Sequence, residues 1–271
     1  MPFFSVIIPT FNADKSLQRC LISIIDQTDS DIEIIIQDGK STDNTQLVAR
    51  NIGDDRIKIF SEPDSGIYDA MNKAIARSSG TWLLFLGSDD YLFNSAVLAD
   101  MRNKLSHITA RLVYGDVKMA GDTPWAKSGT VYRGETPLPE LLSHNYSHQA
   151  VFYHRQVFDD GHRYKTPYRI CADYDFNLLC TAKYKVCYAP VIVSVFVGGG
   201  VSSVQDDPAF AKDKWMNTIR YFGNKLKGQD FAPFKKAFKN AAKGFLAQRE
   251  LSLAYSAYAL YLRHKFGKRK R

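Results

Sequence analysis

A chain of 271 residues holds one large domain or one domain with an appendage, and 45% hydrophobic against 24% charged residues suffices to bury a core. No run reaches the roughly 18 apolar residues of a bilayer span, and the apolar start MPFFSVIIPTF lacks a basic leader and is broken by Pro9, so it reads as a strand and not a signal peptide. The net charge of +8 is unevenly placed: residues 209–271 carry 16 Lys and Arg against 3 Asp and Glu, and the remaining residues carry 20 against 25. A mildly acidic body with a strongly basic tail points to a polyanionic partner at one end, either a membrane surface or a nucleic acid. Cys20, Cys171, Cys180 and Cys187 form no C-x-x-C pair, which fits reduced thiols in a cytosolic protein and not a disulfide framework.

In chain order, SVIIPTFN (5–12) is a short apolar strand ended by a proline turn. A helix follows, with Leu17, Cys20, Leu21, Ile24 and Ile25 at spacings of three and four. DIEIIIQDGKSTDNT (31–45) reads as a second strand, a loop of turn and capping residues, and the start of a helix running through Val48. IKIF (57–60) is a third strand, SGIYDAMNKAIARSSG (65–80) a helix closed by Gly80, and WLLFL (82–86) a fourth strand. Strands that alternate with helices imply an α/β fold, its parallel sheet covered on both faces.

In such sheets ligands sit beyond the carboxyl ends of the strands. Pro9-Thr10-Phe11-Asn12, Gln37-Asp38-Gly39 and Ser88-Asp89-Asp90 each lie at such an end, so three polar tips converge on one crevice. Adjacent carboxylates suit a hard divalent cation, Mn2+ or Mg2+, whose remaining ligands a diphosphate supplies. Two Asp alone make a thin protein site. An Asp-Asp pair is also common in plain surface turns.

SVIIPTFN, DGKSTDNT, EPDSGIYDAMNKAIARSSG and FLGSDD, in this order and at these distances, resemble the family 2 glycosyltransferases, whose catalytic domain has the nucleotide-diphospho-sugar-binding fold called GT-A. The resemblance covers roughly residues 3–200 and is similar to the branch that builds bacterial exopolysaccharide, capsule and O-antigen units. It implies a GT-A domain over 1–205 with a mostly parallel sheet, followed by a basic helical tail over 206–271. It implies an inverting hexosyl- or N-acetylhexosaminyl-transferase, with a UDP-sugar as the common donor and a lipid-linked saccharide as acceptor.

Carried onto this chain, Thr10 and Asn12 would lie beside the nucleotide, and Asp38 would accept a hydrogen bond from the base. Asp89 would contact the ribose or sugar, and Asp90 the metal and diphosphate. The family motif has Asp-x-Asp where this chain has Ser88-Asp89-Asp90, so the number of direct protein ligands is open. Asp69 and Asn72 either face the donor or decorate a solvated helix. FVGGGVSS (196–203) would be a mobile loop closing over the donor with Ser202 toward a phosphate, or a passive connector.

Inverting transfer needs a carboxylate base within reach of the acceptor hydroxyl. YRICADYDFNLL (168–179) offers Asp173 and Asp175, which point in different directions on a helix. Asp173 matches the family's base position. Asp175 suits the first turn, where negative charge is favoured in any case, and stays as a second acceptor-side residue. His148, in SHQAVFYHR, is placed near the diphosphate or acceptor, or is an ordinary loop histidine.

In the tail, Phe231, Phe234, Phe238, Ala241 and Phe245 fall at helical spacing beside Lys235, Lys236, Lys239 and Lys243. This face either lies in an anionic membrane interface, as expected of an enzyme held at the inner face of the cytoplasmic membrane, or packs on the catalytic domain. A second helix is expected over Leu251–Phe266. A sugar-nucleotide nucleotidyltransferase would need a Gly-rich, basic triphosphate loop that PTFNADKS lacks. A nucleic-acid-binding protein would leave the acidic crevice without purpose, so no nucleic-acid partner is expected.

Overall fold

The structure is a computed structural model that describes residues 1–199 and 206–267. It begins with β1 (Phe4–Thr10), α1 (Leu17–Ile25), β2 (Ile32–Asp38), α2 (Thr45–Asn51), β3 (Ile57–Ser61), α3 (Ile67–Arg77) and β4 (Trp82–Phe85). After β5 (Tyr91–Leu92) and α4 (Val97–Leu105) come β6 (Leu112–Ala120), β7 (Val131–Tyr132), α5 (Leu138–Leu141), β8 (Val151–His154) and α6 (Gln156–Asp159). The chain continues through α7 (Ala172–Lys183), β9 (Val186–Val197), α8 (Pro208–Phe222), α9 (Lys235–Ala247) and α10 (Leu251–Phe266).

The strands form one sheet in the order β3-β2-β1-β4-β8-β6-β9-β5, with β7 beside β6. β3, β2, β1 and β4 pair in parallel. β8 is antiparallel to both β4 and β6, and β9 is parallel to β6. Two successive reversals restore the direction, so β6 and β9 point the same way as the first four strands. Most of the sheet therefore opens its carboxyl ends onto one edge.

Every residue of β1 and β2 is buried, because helices cover both faces. Side chains alternate between two cores, as the period of two requires. Ile7, Ile35, Leu83 and Phe85 face α3 and α7, whereas Val6, Ile8, Ile34 and Leu84 face α1 and α4. The first core continues into the tail: Phe210, Ile219, Phe231, Phe238 and Phe245 belong to it, along with Ala254, Ala257 and Leu260. The phenylalanine face of α9 is thus packed inside the protein. Of the two sequence readings of that face, membrane insertion is the one corrected, since α8 and α10 already remove it from water. All four cysteines are free thiols.

Candidate active site

Thr10 ends β1 directly opposite Asp38 at the end of β2. Asp38 is 1% exposed and accepts from the Ser61 hydroxyl at 2.6 Å, the Gln46 amide at 3.0 Å and the Ser41 backbone N–H at 3.2 Å. Asn12 takes a positive φ of 50°, a conformation Asn tolerates better than most residues. Its backbone N–H donates to the Ser41 hydroxyl, and its Oδ1 accepts from the Thr42 N–H at 2.9 Å. Thr10, Asn12 and Asp38 are therefore gathered around the DGKS turn, as the sequence led one to expect. Gln46 and Ser61, which hold Asp38, were not anticipated.

At the end of β4 the two carboxylates diverge. Asp90 is 3% exposed; its Oδ1 accepts from the Val197 backbone N–H and its Oδ2 from the Gln149 amide, both at 2.8 Å. Asp89 stays partly exposed, and its side chain makes no hydrogen bond among the described residues. A Cβ on Gly87 would lie 2.8 Å from an oxygen of each carboxylate, so the tip closes tightly on that glycine. Burial, then the neighbouring Asp89 charge, pushes the Asp90 carboxyl up to about 7. The nearby Arg19 guanidinium donates to the Asp89 backbone carbonyl at 2.9 Å and lies over the Tyr91 ring, not on either carboxylate.

Two carboxylates crowded at a strand end without a paired cation form a donor set that fits a divalent ion. Among the described residues no group of three His, Cys, Asp or Glu makes a complete cage, so an ion held here would take its remaining ligands from outside the protein, as phosphate oxygens can supply. The resemblance put the metal and diphosphate on Asp90 and the ribose or sugar on Asp89. The geometry turns Asp90 inward as a strut between β4, β9 and the 148–150 turn, and leaves Asp89 as the carboxylate a ligand meets first.

Asp173, in the first turn of α7, accepts from the Tyr68 hydroxyl at 2.7 Å and from the Asn145 amide at 2.6 Å, one donor on each oxygen. Asn145 accepts in turn from Asn177, and Asn177 from the Tyr153 hydroxyl, so a buried chain of polar groups backs the carboxylate. The turn before α7 is tied down by Asp207. Its Oδ2 accepts the backbone N–H groups of Ile170 and Cys171, and its Oδ1 caps α8 through Phe210.

Asp175 is placed differently. It is 2% exposed, pairs with Lys165 at 2.9 Å and accepts from Asn217 and Tyr221 on α8. It pins two helices together and offers nothing to an acceptor, which corrects its expected second role. Asn72 is also committed elsewhere: its amide donates to the Tyr164 carbonyl and its oxygen accepts the Tyr164 N–H. Asp69 pairs with Lys73 and the Ser65 N–H on the surface of α3. Ser202 lies outside the described residues.

His148 connects the two halves. Its ring stacks on Phe85, the last residue of β4, with centroids 5.4 Å apart, and burial lowers its pKa. Both ring nitrogens are shielded from water and have no hydrogen-bond partner among the described residues. The next residue, Gln149, holds Asp90, while Asn145, three positions earlier, holds Asp173. One segment of five residues therefore spans from the metal-side carboxylate to the candidate base. Tyr68 and Asn145 had no separate signal in the sequence, because their partner is about a hundred and about thirty positions away.

The family model described as Glycosyl transferase family 2 matches residues 5–163. A "PGL/p-HBAD biosynthesis glycosyltransferase" of Mycobacterium bovis is 39% identical over 226 residues, covering 80% of this chain and 86% of the relative. A "GalNAc(5)-diNAcBac-PP-undecaprenol beta-1,3-glucosyltransferase" of Campylobacter jejuni is 39% identical over 101 residues, 36% of this chain and 33% of that protein. Among solved structures, S. aureus TarS 1-349 in complex with UDP-GlcNAc superimposes with a TM-score of 0.66 at 14% identity, over 99% of this chain and 93% of that one. The mannosyltransferase PcManGT of Pyrobaculum calidifontis, in complex with GDP-Man and Mn2+, gives 0.59 at 16%, over 99% and 88%.

The fold is GT-A. The chain belongs to glycosyl transferase family 2 and is a glycosyltransferase of glycan biosynthesis.

Proposed function

We propose that the protein is an inverting, metal-dependent transferase that moves a hexosyl or N-acetylhexosaminyl group from a UDP-sugar to a hydroxyl of a lipid-linked saccharide, working at the inner face of the cytoplasmic membrane. The observation that carries this reading is the segment 145–149, which holds Asp173 at one end and Asp90 at the other. An inverting displacement needs such an arrangement, with departure on the diphosphate side and attack on the base side.

Thr10, Asn12 and Asp38 take the nucleoside, with Asp38 accepting an imide N–H of the base. Asp89 takes the cation and diphosphate directly, and Asp90 supports it from behind. Mn2+ or Mg2+ bound there offsets the negative charge that develops on the leaving diphosphate. Asp173 removes the proton from the acceptor hydroxyl as its oxygen forms the new bond to the anomeric carbon. The bond from that carbon to the phosphate oxygen breaks on the opposite face, and the nucleoside diphosphate departs. Tyr68 and Asn145 each occupy one lone pair of Asp173, which fixes the carboxylate and leaves further lone pairs for the hydroxyl. Asp173 retains 9% exposure where Asp175 has 2%, which supports Asp173 as the residue that meets substrate.

TarS binds UDP-GlcNAc and PcManGT binds GDP-Man with Mn2+, which supports a nucleotide-sugar donor and a divalent ion here. The undecaprenol-linked substrate in the name of the Campylobacter relative supports a lipid-linked acceptor. The test is a panel of nucleotide sugars scored by thermal stabilisation with and without Mn2+. Stabilisation by UDP-sugars only when the metal is present is expected. Equal stabilisation without metal would remove the ion from the reading, and stabilisation by nucleoside triphosphates alone, with pyrophosphate release, would make the protein a nucleotidyltransferase.

A further inference from the structure

The tail buries its phenylalanines and yet leaves a different apolar row in water. On α10 the residues Leu251, Tyr255, Tyr258, Leu262 and Phe266 recur at spacings of four, three, four and four, which is one face of a helix. All five are exposed, Leu251 at 69%, Tyr255 at 78% and Phe266 at 70%. The opposite face of α10, with Ala254, Ala257 and Leu260, is the one packed into the core. The helix is apolar on both sides, and the outer side is left uncovered among the described residues. At 1.5 Å per residue the row is about 22 Å long, and Leu246 at the end of α9 widens it.

Its surroundings select the partner. A groove along the hairpin is lined by Leu246, Leu251, Tyr255 and Tyr258 together with Lys239 and Lys243. Lys235, Lys236, Arg263 and Lys265 are exposed on the same two helices, and Arg249 in the turn between them. The one acidic residue between them, Glu250, is already paired with Arg220. A self-association face so rich in one sign of charge would repel its copy. A bilayer carrying anionic headgroups satisfies both features: leucine and phenylalanine enter the acyl boundary, tyrosine suits the headgroup level, and lysine meets phosphate.

We infer that the row Leu251-Tyr255-Tyr258-Leu262-Phe266, with Lys239 and Lys243 beside it, is a docking face for an anionic phospholipid surface. This deepens the membrane part of the proposed function and moves it from the α9 phenylalanines to the outer face of α10. The face sits on the same helical layer as α8, which Asp207 and Asp175 tie to the start of α7.

The test is co-sedimentation of the full chain with phosphatidylcholine vesicles and with vesicles that also contain phosphatidylglycerol, at low and high salt. Nucleotide-sugar hydrolysis is followed in the same samples. Binding to the anionic vesicles is expected, weakening at least several-fold with added salt. The variant L251S/Y255S/F266S should lose that binding, and K239E/K243E should reduce it several-fold, with hydrolysis unchanged in both because neither set touches the crevice. A full chain that stays in the supernatant with both vesicle types overturns the inference, as does undiminished binding of the triple variant. A chain that is dimeric in sedimentation velocity and becomes monomeric in the triple variant, without vesicle binding, assigns the face to a second copy and overturns it equally. Vesicle binding without any hydrolysis leaves the docking face standing and removes only the donor chemistry.

Discussion

The amide of Asn145 donates to Oδ2 of Asp173 across 2.6 Å, while the other carboxylate oxygen is held by Tyr68. A donor on each oxygen holds the carboxylate in one orientation, as the proposed base role requires. Replacing Asp173 by Asn should lower transfer by about 10²–10⁴-fold, the ordinary contribution of a general base. Nucleotide affinity, measured by titration calorimetry, should stay within a factor of two or so. Asn145→Ala removes one charge-assisted hydrogen bond, of about 1.5–3 kcal/mol. A fall of roughly 10–100-fold in kcat is therefore expected, with the donor KM unchanged. An equal rise in KM would mean that Asn145 shapes the donor pocket instead.

The acid pair at the end of β4 makes the pH dependence predictable. Burial and the Asp89 charge hold the Asp90 carboxyl up at about 7 in the absence of a cation. Below that pH Asp90 carries its proton and the tip offers one negative charge; above it the tip offers two. Affinity for Mn2+ with a nucleoside diphosphate should accordingly rise from pH 6 to pH 8, with proton release on binding near neutrality. Calorimetry in two buffers of different ionisation enthalpy measures that proton. Asp90→Asn should reduce the release to the share that the terminal phosphate of the nucleotide contributes, and Asp89→Asn should weaken binding more strongly than Asp90→Asn does.

Much of this was legible before any coordinates. The first four strands and their helices follow from apolar runs and turn residues, and α10 has the expected limits, Leu251–Phe266. The DGKS turn and the SDD tip pointed to a crevice only in combination with the end of the first strand, because any one polar tip is also what a plain surface turn carries. What could not be read depends on long-range pairing. Asp173 and Asp175 share the first turn of one helix, and the resemblance favoured Asp173 as the base; their partners, Tyr68 and Asn145 for one and Lys165, Asn217 and Tyr221 for the other, are distant in sequence and could not be read from it. The tail shows the same limit. Periodicity identified the phenylalanine face of α9 as apolar, but it does not say whether protein or lipid covers it. On α10 apolar residues on both faces cancel the amphipathic signal, so its outer row became visible only once the inner one was buried.

Asp207 lies outside the crevice yet governs it. Its carboxylate serves the backbone N–H groups of Ile170, Cys171 and Phe210, joining the start of α8 to the turn that presents Asp173. Asp207→Ala loses a helix cap, about 1 kcal/mol, and strands two further amides, about 1–3 kcal/mol each when buried. A fall in melting temperature of roughly 5–10 °C is expected for a chain of this size. Asp207→Asn keeps an acceptor oxygen and should recover part of both stability and activity.

Asp175 supplies the control that separates fold from chemistry. It stands two residues from the candidate base and is the same residue type, so a role in proton transfer and a role in packing predict opposite results. Its partners Lys165, Asn217 and Tyr221 all lie on the α8 side, and removing the carboxylate leaves a buried amide and hydroxyl without their acceptor. Asp175→Ala should therefore destabilise the protein by about 3 kcal/mol, the lower end for breaking a buried pair, because Lys165 can turn to water. Denaturant titration measures that loss. The folded fraction, assayed well below the new midpoint, should keep kcat within a few-fold of the parent, whereas Asp173→Asn does the reverse: stability close to the parent and transfer nearly gone. A folded Asp175→Ala that has lost transfer as completely as Asp173→Asn would reassign the base.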